Sequence, residues 1–406
     1  MKRLYFILLL LIVGCSKDDD FILGPEPPDP VVQDCITCYD RNINYNVPSW
    51  QLDFPLLHNK YYESTSGSHS WGPPIDFLVV DYDHDGYLDA VTGDSDYTAG
   101  FAGQVTRRYF KFFRGDALGN LTLDTRPEFY QKFVGPVFAR KAFLGDYNKD
   151  GKPDLVFIDN GHDDQTGSSQ ERPGSYPIIL MSNAEGLYDR VTYPEAWGVF
   201  HTGASADIDY DGDLDIVLPR YYTLINRGDG TFDVQPFLIE TQDDPTTLEI
   251  ADLDGDGILE WIYGSGSMYQ PEGQYRHSSW IGNPSVGIKH IIPHVDNFGI
   301  FLAVLPYDID GDGTLELIVN RASDQNHPKS HYAEWYIQIL KYTNSGLIDI
   351  TDSTIERNTR ENTGAGWVHW FNLKDLDGDG KVELFSDDQI TFVKWELENG
   401  FFKRTL

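Results

Sequence analysis

Short apolar runs separated by polar turns dominate the chain. Phe77-Leu78-Val79-Val80, Leu155-Val156-Phe157-Ile158, Ile216-Val217-Leu218, Leu248-Glu249-Ile250-Ala251 and Leu317-Ile318-Val319 are rich in β-branched and aromatic side chains. Runs this short, bounded by turn residues, predict strands buried between neighbours rather than helices. A second hairpin follows several of them. Tyr222 to Ile225 and Phe232 to Val234 flank Gly228-Asp229-Gly230, Trp335 to Tyr342 and Leu347 to Ile350 flank Asn344-Ser345-Gly346, and Ile390 to Leu397 and Phe401 to Arg404 flank Asn399-Gly400. Asn-Gly and Asp-Gly pairs tolerate the positive φ of tight hairpins. Each unit therefore predicts four strands, A to D, and the class is all-β.

The turn between strands A and B carries a repeated acidic pattern. Its six copies are Asp81-Tyr-Asp83-His-Asp85-Gly86-Tyr-Leu-Asp89, Asp146-Tyr-Asn148-Lys-Asp150-Gly151-Lys-Pro-Asp154, Asp207-Ile-Asp209-Tyr-Asp211-Gly212-Asp-Leu-Asp215, Asp252-Leu-Asp254-Gly-Asp256-Gly257-Ile-Leu-Glu260, Asp308-Ile-Asp310-Gly-Asp312-Gly313-Thr-Leu-Glu316 and Asp375-Leu-Asp377-Gly-Asp379-Gly380-Lys-Val-Glu383. Successive starts lie 65, 61, 45, 56 and 67 residues apart. That spacing suits one four-stranded propeller blade with variable loops.

Carboxylates at loop positions 1, 3 and 5 can point inward around one centre, with Gly at position 6 allowing the sharp turn. A carbonyl at position 7 and an acid at position 9 can complete six or seven oxygen contacts, a set that selects Ca²⁺. An EF-hand would need a bidentate Glu at position 12 between helices. Position 12 here holds Thr92, Phe157, Leu218, Tyr263, Val319 and Ser386, and the flanks read as strands, so EF-hands are excluded. About six structural Ca²⁺ are expected.

These loops resemble the FG-GAP/VCBS repeats of integrin-type β-propellers. The resemblance spans roughly residues 70–406, and this sequence departs from it at Asn148 and in the Glu at position 9 of loops four to six. It implies four-stranded blades set radially around a channel. Six blades are expected; residues 49–66 leave a minimal seventh open. The propeller domain is placed at 49–406.

Composition narrows the function. The 406 residues include 31 basic and 64 acidic side chains, a net charge of −33. Such a surface repels phosphate backbones, so no nucleic-acid partner is expected. Aromatics at 14% and hydrophobics at 40% supply a core that a disordered acidic chain lacks.

At the N-terminus, Lys2 and Arg3 precede an apolar run and then Ile12-Val13-Gly14-Cys15. This reads as a secretory signal, residues 1–14, too short to span a bilayer in mature form. The last four residues resemble a bacterial lipobox, which implies that Cys15 is lipidated. Residues 15–48 read as an Asp- and Pro-rich tether. Ser16-Lys17-Asp18-Asp19-Asp20 looks like the export signal of surface lipoproteins. The expected location is the outer membrane, exposed at the cell surface with the periplasmic side left open, and the only membrane contact is the N-terminal lipid. Cys35 and Cys38 could form a redox pair or half a metal site; a local disulfide is favoured.

Long insertions after strand B, at 94–107, 159–177, 264–280 and 320–333, should crowd the face opposite the acidic loops. They carry Tyr97, His162, Arg172, Tyr176, Tyr269, Tyr275, Arg276, His277, Trp280, Arg321, His327 and His331. Aromatic, Arg and His side chains there suit a glycan or a protein ligand. For any single one, packing its loop onto the scaffold is the favoured reading. Six positions before the first Asp of each unit, where strand A enters near the channel mouth on the loop face, stand Arg140, His201 and His369. Ile75, Thr246 and Leu302 hold the other three units. The first three could bind an anionic group, act as acid and base, or hydrogen-bond a neighbouring blade. His290 and His294 are set aside as a zinc pair, because on a strand they are too far apart.

No nucleophile elbow, phosphate loop, zincin motif or dinucleotide fingerprint appears. The expected function is a non-catalytic binding or adhesion module for glycans or proteins. The alternative is a polysaccharide lyase or glycosidase on the same scaffold.

Overall fold

The computed structural model describes residues 77–87, 89–93, 109–116, 121–137, 139–161, 174–239, 245–265, 279–324, 327–328, 334–343, 345–356, 372–374, 381–387 and 392–405. Among these, 24 strands form six four-stranded antiparallel sheets. Every sheet is a simple meander of consecutive strands. β1 (Phe77–Val80), β2 (Asp89–Gly93), β3 (Phe110–Arg114) and β4 (Thr122–Leu123) make the first. The second is β5 (Ala139–Gly145), β6 (Asp154–Asp159), β7 (Ile178–Ser182) and β8 (Tyr188–Thr192), and the third β9 (Ala204–Ala206), β10 (Asp215–Leu218), β11 (Tyr222–Asn226) and β12 (Phe232–Pro236). The fourth is β13 (Pro245–Ala251), β14 (Glu260–Ser265), β15 (Trp280–Asn283) and β16 (Gly287–Ile291), and the fifth β17 (Ile300–Tyr307), β18 (Glu316–Ala322), β19 (Trp335–Thr343) and β20 (Gly346–Asp349). The sixth comprises β21 (Asn372–Lys374), β22 (Glu383–Asp387), β23 (Phe392–Glu398) and β24 (Phe401–Arg404). The apolar runs predicted as strands A and B, and the hairpins after them, fall on these elements. The segment 49–66 lies outside the described residues.

Burial follows strand position. The second strands β2, β6, β10, β14 and β18 are buried at every residue, while the outer strand β16 is largely exposed. A strand inside its own sheet is buried on both faces only if neighbouring sheets cover it. The core clusters have this composition. Tyr82, Val91, Phe112, Phe157 and Leu180 join the first and second sheets; Val156, Ile179, Ile216 and Leu224 join the second and third. Val217 meets Trp261 and Tyr263 between the third and fourth, Ile262 meets Val304 and Leu317 between the fourth and fifth, and Ile318 and Trp335 meet Leu384 and Trp395 between the fifth and sixth. First strands also touch in succession: β1 on β5, β5 on β9, β9 on β13 and β13 on β17.

After β20 comes a single helical turn, α1 (Thr351–Thr354), and the chain then reaches the last sheet. Ile355 pairs in parallel with Phe402 of β24, the Glu356 amide donates to the Phe402 carbonyl at 2.9 Å, and Trp395 Nε1 donates to the Glu356 carbonyl at 2.7 Å.

Phe112 sits in the first inter-sheet core, with ring centroids of Tyr82, Phe129, Phe133 and Tyr188 at 5.1, 5.2, 6.0 and 6.2 Å. Phe112→Ala is expected to cost about 3–5 kcal/mol in denaturant unfolding, through lost burial and a residual cavity.

Candidate functional site

In each of the first five sheets the acidic segment is the turn between first and second strand, so the hairpin register fixes both its ends. Val80 pairs with Asp89, Gly145 with Asp154, Ala206 with Asp215, Ala251 with Glu260 and Tyr307 with Glu316. Gly at position 6 adopts φ of +79 to +91° at Gly86, Gly151, Gly212, Gly257 and Gly313. Position 4 is left-handed as well. His84, Lys149 and Tyr210 take φ of 57 to 63°, while Gly255 and Gly311 stand there in loops four and five. That second bend went unrecognised in the sequence, although Gly at position 4 of loops four to six signals it.

The first carboxylate organises the backbone of each of the five described loops. Asp81 Oδ1 and Oδ2 accept the amides of Asp85 and Gly86 at 3.1 and 3.0 Å. Asp146, Asp207, Asp252 and Asp308 accept the amides of their own positions 5 and 6 in the same way. At position 5, Asp85, Asp150, Asp211, Asp256 and Asp312 each use Oδ1 to accept the amide of position 7.

The acid at position 9 is fully or almost fully buried in all five loops. One of its oxygens accepts the amide of position 2: Tyr82 to Asp89, Tyr147 to Asp154, Ile208 to Asp215, Leu253 to Glu260 and Ile309 to Glu316. Where this residue is Asp, the other oxygen accepts an amide at the end of the third strand, from Gly115, Ser182 or Asn226. Where it is Glu, the longer side chain leaves Oε1 facing cations instead. Lys341 is 3.3 Å from Glu316 Oε1 and Lys289 is 4.0 Å from Glu260 Oε1.

The acids that converge are drawn from the expected positions. Asp81, Asp83 and Asp85 bring oxygens within 4.8 Å of one another in the first loop. Positions 1, 3 and 9 do so in the third (Asp207, Asp209, Asp215), the fourth (Asp252, Asp254, Glu260) and the fifth (Asp308, Asp310, Glu316). Each group is a subset of the expected positions 1, 3, 5 and 9, with position 9 missing from the first and position 5 from the other three. In the second loop Asn148 Nδ2 donates to the Ser182 carbonyl at 2.8 Å, and no three-acid group forms there. Asp83 Oδ1 and Asp254 Oδ1 are buried and have no hydrogen-bond partner. These groups could hold a hard divalent cation, which would satisfy both oxygens. Of the sixth loop, Asp375, Asp377 and Asp379 lie outside the described residues; Glu383 is buried, with Lys394 3.6 Å from its Oε1.

Arg140, six positions before Asp146, lies at a β-bulge of β5, at the end of the strand away from the acidic loop. Thr246 and Leu302 occupy the same bulge in β13 and β17. A bulge adds one residue and re-aims its side chain. Thr246 uses its hydroxyl to donate to the Phe301 carbonyl of the next sheet. Half-buried His201 precedes β9; His369 lies outside the described residues, as do Cys15, Cys35 and Cys38. The placement near the acidic loops is corrected: strand A begins at the far end, beside the long connections after strand B.

Four of the twelve insertion residues are described, and each packs against the scaffold. Trp280 is buried and stacks on Tyr263 at 4.7 Å. Arg321 is 2% exposed, donating from Nε to Gln338 Oε1 at 2.8 Å and from a terminal nitrogen to the Pro293 carbonyl at 2.9 Å. His327 lies 3.1 Å from Glu334 Oε2 and edge-on to Phe298, and half-buried Tyr176 packs on Trp197.

Neither a protein-family model nor a curated protein matches the chain. Among solved structures it is similar to the V. cholerae biofilm matrix protein Bap1, at 11% identity and TM-score 0.38, over 82% of this chain and 68% of that one. The Dos1 propeller matches at 11% identity and TM-score 0.40, over 81% and 68%. BBS1N, solved in complex with ARL6DN, matches at 12% identity and TM-score 0.39, over 80% and 91%.

Burial pushes the Asp89 carboxyl up to about 7 and that of Asp215 to about 6, with neighbouring loop acids adding to the rise. The Asp154, Glu260 and Glu316 carboxyls are raised for the same main reason. A carboxyl raised in the folded chain binds protons that the unfolded chain has released, so this stability is present below about pH 4 and is lost as pH rises through about 6–7. In chelator, the melting temperature is expected to fall from about pH 4.5 to 7.5. Melts of Asp89→Asn should give a shallower slope.

Proposed function

We propose that the chain is a calcium-stabilised β-propeller that serves as a non-catalytic binding module for glycan or protein ligands, tethered to the outer membrane through a lipid on Cys15. Radial closure is supported by the order of inter-sheet cores and by the succession of touching first strands. In that arrangement the second strands are buried and the outer strands form the rim, and six sheets give six blades.

The observation that carries the cation reading is that buried oxygens in the converging acid groups accept no hydrogen bond: Asp83 Oδ1, Asp254 Oδ1 and Glu316 Oε1, the last with the Lys341 ammonium 3.3 Å away. A buried polar atom left unpaired costs about 1–3 kcal/mol, and a charged one more. All-oxygen donors with one or two backbone-braced carboxylates fit Ca²⁺ better than zinc. The ion's contribution is structural: it neutralises each hairpin turn and so stiffens the end of the propeller that carries the loops.

The opposite end suits ligand binding. The connections 94–109, 160–177, 266–279 and 323–334 all leave the buried second strands there. Long loops on a rigid frame are where recognition usually sits.

At calcium tenfold above its dissociation constant, each site contributes about 1.4 kcal/mol. Chelation is therefore expected to lower the melting temperature by roughly 5–8 °C if three or four sites are lost, with recovery on adding calcium and loss of bound ion seen by mass spectrometry. An unchanged melt and a metal-free protein would refute the cation reading. Glycan arrays and incubation with acidic polysaccharides test the rest. Binding without unsaturated products is expected, and turnover abolished by His201→Ala would replace the module with a lyase.

A further inference from the structure

Loops four and five share one pattern, Asp-x-Asp-Gly-Asp-Gly-x-Leu-Glu, yet their oxygens are satisfied differently. In the fifth loop Lys341 Nζ lies 2.7 Å from Asp310 Oδ2, 2.7 Å from Asp312 Oδ2 and 3.3 Å from Glu316 Oε1. An ammonium has three N–H donors, and here it faces three carboxylates. Asp310 Oδ1 accepts the Asp312 amide at 3.2 Å and Glu316 Oε2 accepts the Ile309 amide at 2.9 Å; buried Glu316 Oε1 accepts no hydrogen bond and has the Lys341 ammonium as its ion-pair partner. Two of these acids, Asp310 and Glu316, belong to the converging group of that loop.

The fourth loop has no equivalent. Glu316 pairs with Lys341 across β18 and β19, whereas Trp261 pairs with Gly282, so Glu260 faces Asn283. The nearest cation is Lys289, which donates to the Tyr342 hydroxyl at 2.7 Å and remains 4.0 Å from Glu260 Oε1. Asp254 Oδ1 stays unpartnered. In the third loop Ile216 pairs with Leu224, which sets half-buried Ile225 opposite Asp215.

The first loop is intermediate. Ala90 pairs with Phe113, so Arg114 faces Asp89; its Nε and a terminal nitrogen lie 2.9 and 3.1 Å from Asp83 Oδ2 and Asp85 Oδ2. Arg114 takes only these outer oxygens and leaves Asp83 Oδ1 unpartnered. It braces the acids without taking the place of an ion.

We propose that the ammonium of Lys341 is the resident cation of the fifth loop, standing where the third and fourth loops take a divalent ion, so that one site of the ring is closed at every calcium concentration. This rests on the reading of the acidic loops as divalent sites. A side-chain cation is always present and needs no free ion, whereas the unpartnered oxygen of loop four is met only when an ion arrives.

The test is calcium titration calorimetry on the chelator-stripped full chain in detergent. Lys341→Met is expected to gain one calcium site, or to tighten the weakest at least tenfold, and to melt below the parent in chelator but recover with calcium. Lys341→Arg should add no site. The reciprocal variant Ile225→Lys places a cation opposite Asp215 and should lose one site; it keeps the inference testable if Lys341→Met fails to fold. Equal site numbers with affinities within twofold of the parent, in Lys341→Met or in a folded Ile225→Lys, would overturn the proposal while leaving the divalent reading intact. A parent chain that binds no calcium would remove that reading first, and this inference with it.

Discussion

Each described acidic turn hangs on the carboxylate at its ninth position. It is buried, it accepts the amide of position 2, and in three sheets it also accepts an amide from the third strand. Three segments are thereby tied to one side chain: the end of the first strand, the start of the second and the far edge of the third. The cost is a charge withdrawn from water, and burial accordingly pushes these carboxyls upward. Whatever compensates that charge holds the hairpins.

The chain compensates in more than one way. The second loop substitutes Asn148 for an acid and ties it to the Ser182 carbonyl. The first recruits Arg114 and Arg126, both within hydrogen-bond distance of Asp83 Oδ2. The fifth recruits Lys341. The choice of Asp or Glu at position 9 belongs to the same account: the shorter side chain is consumed by backbone amides, and the longer one keeps an oxygen for a cation. Sequence variation among the copies thus maps onto different routes to neutrality on a common backbone.

Much of the architecture was legible in the sequence because it depends on local chemistry. β-branched runs such as Ile216-Val217-Leu218 are strands because both their faces are covered, and Asn399-Gly400 is a turn because both residues accept positive φ, at 52 and 77°. The candidate site was legible only as far as its backbone. What faces the converging oxygens depends on cross-strand partners like Arg114 and Lys341, and these are set by register rather than by the motif. The bulges at Arg140, Thr246 and Leu302 were also invisible, since one extra residue leaves no compositional trace. Arg321 and Trp280 stood between recognition and packing in the sequence, and both are interior; a buried Arg reveals itself only through partners distant in sequence, here Gln338 and Pro293.

The clasp on the final sheet has a different kind of consequence. An outer strand normally offers its free amides and carbonyls to any other extended chain, and at β24 one such carbonyl, on Phe402, is already taken by Glu356. The covering residues come from the segment that follows the fifth sheet, with Trp395 gripping the same backbone. The protein thereby shields the margin nearest its C-terminus from edge-to-edge recruitment into intermolecular sheets, a safeguard of particular use to molecules crowded side by side.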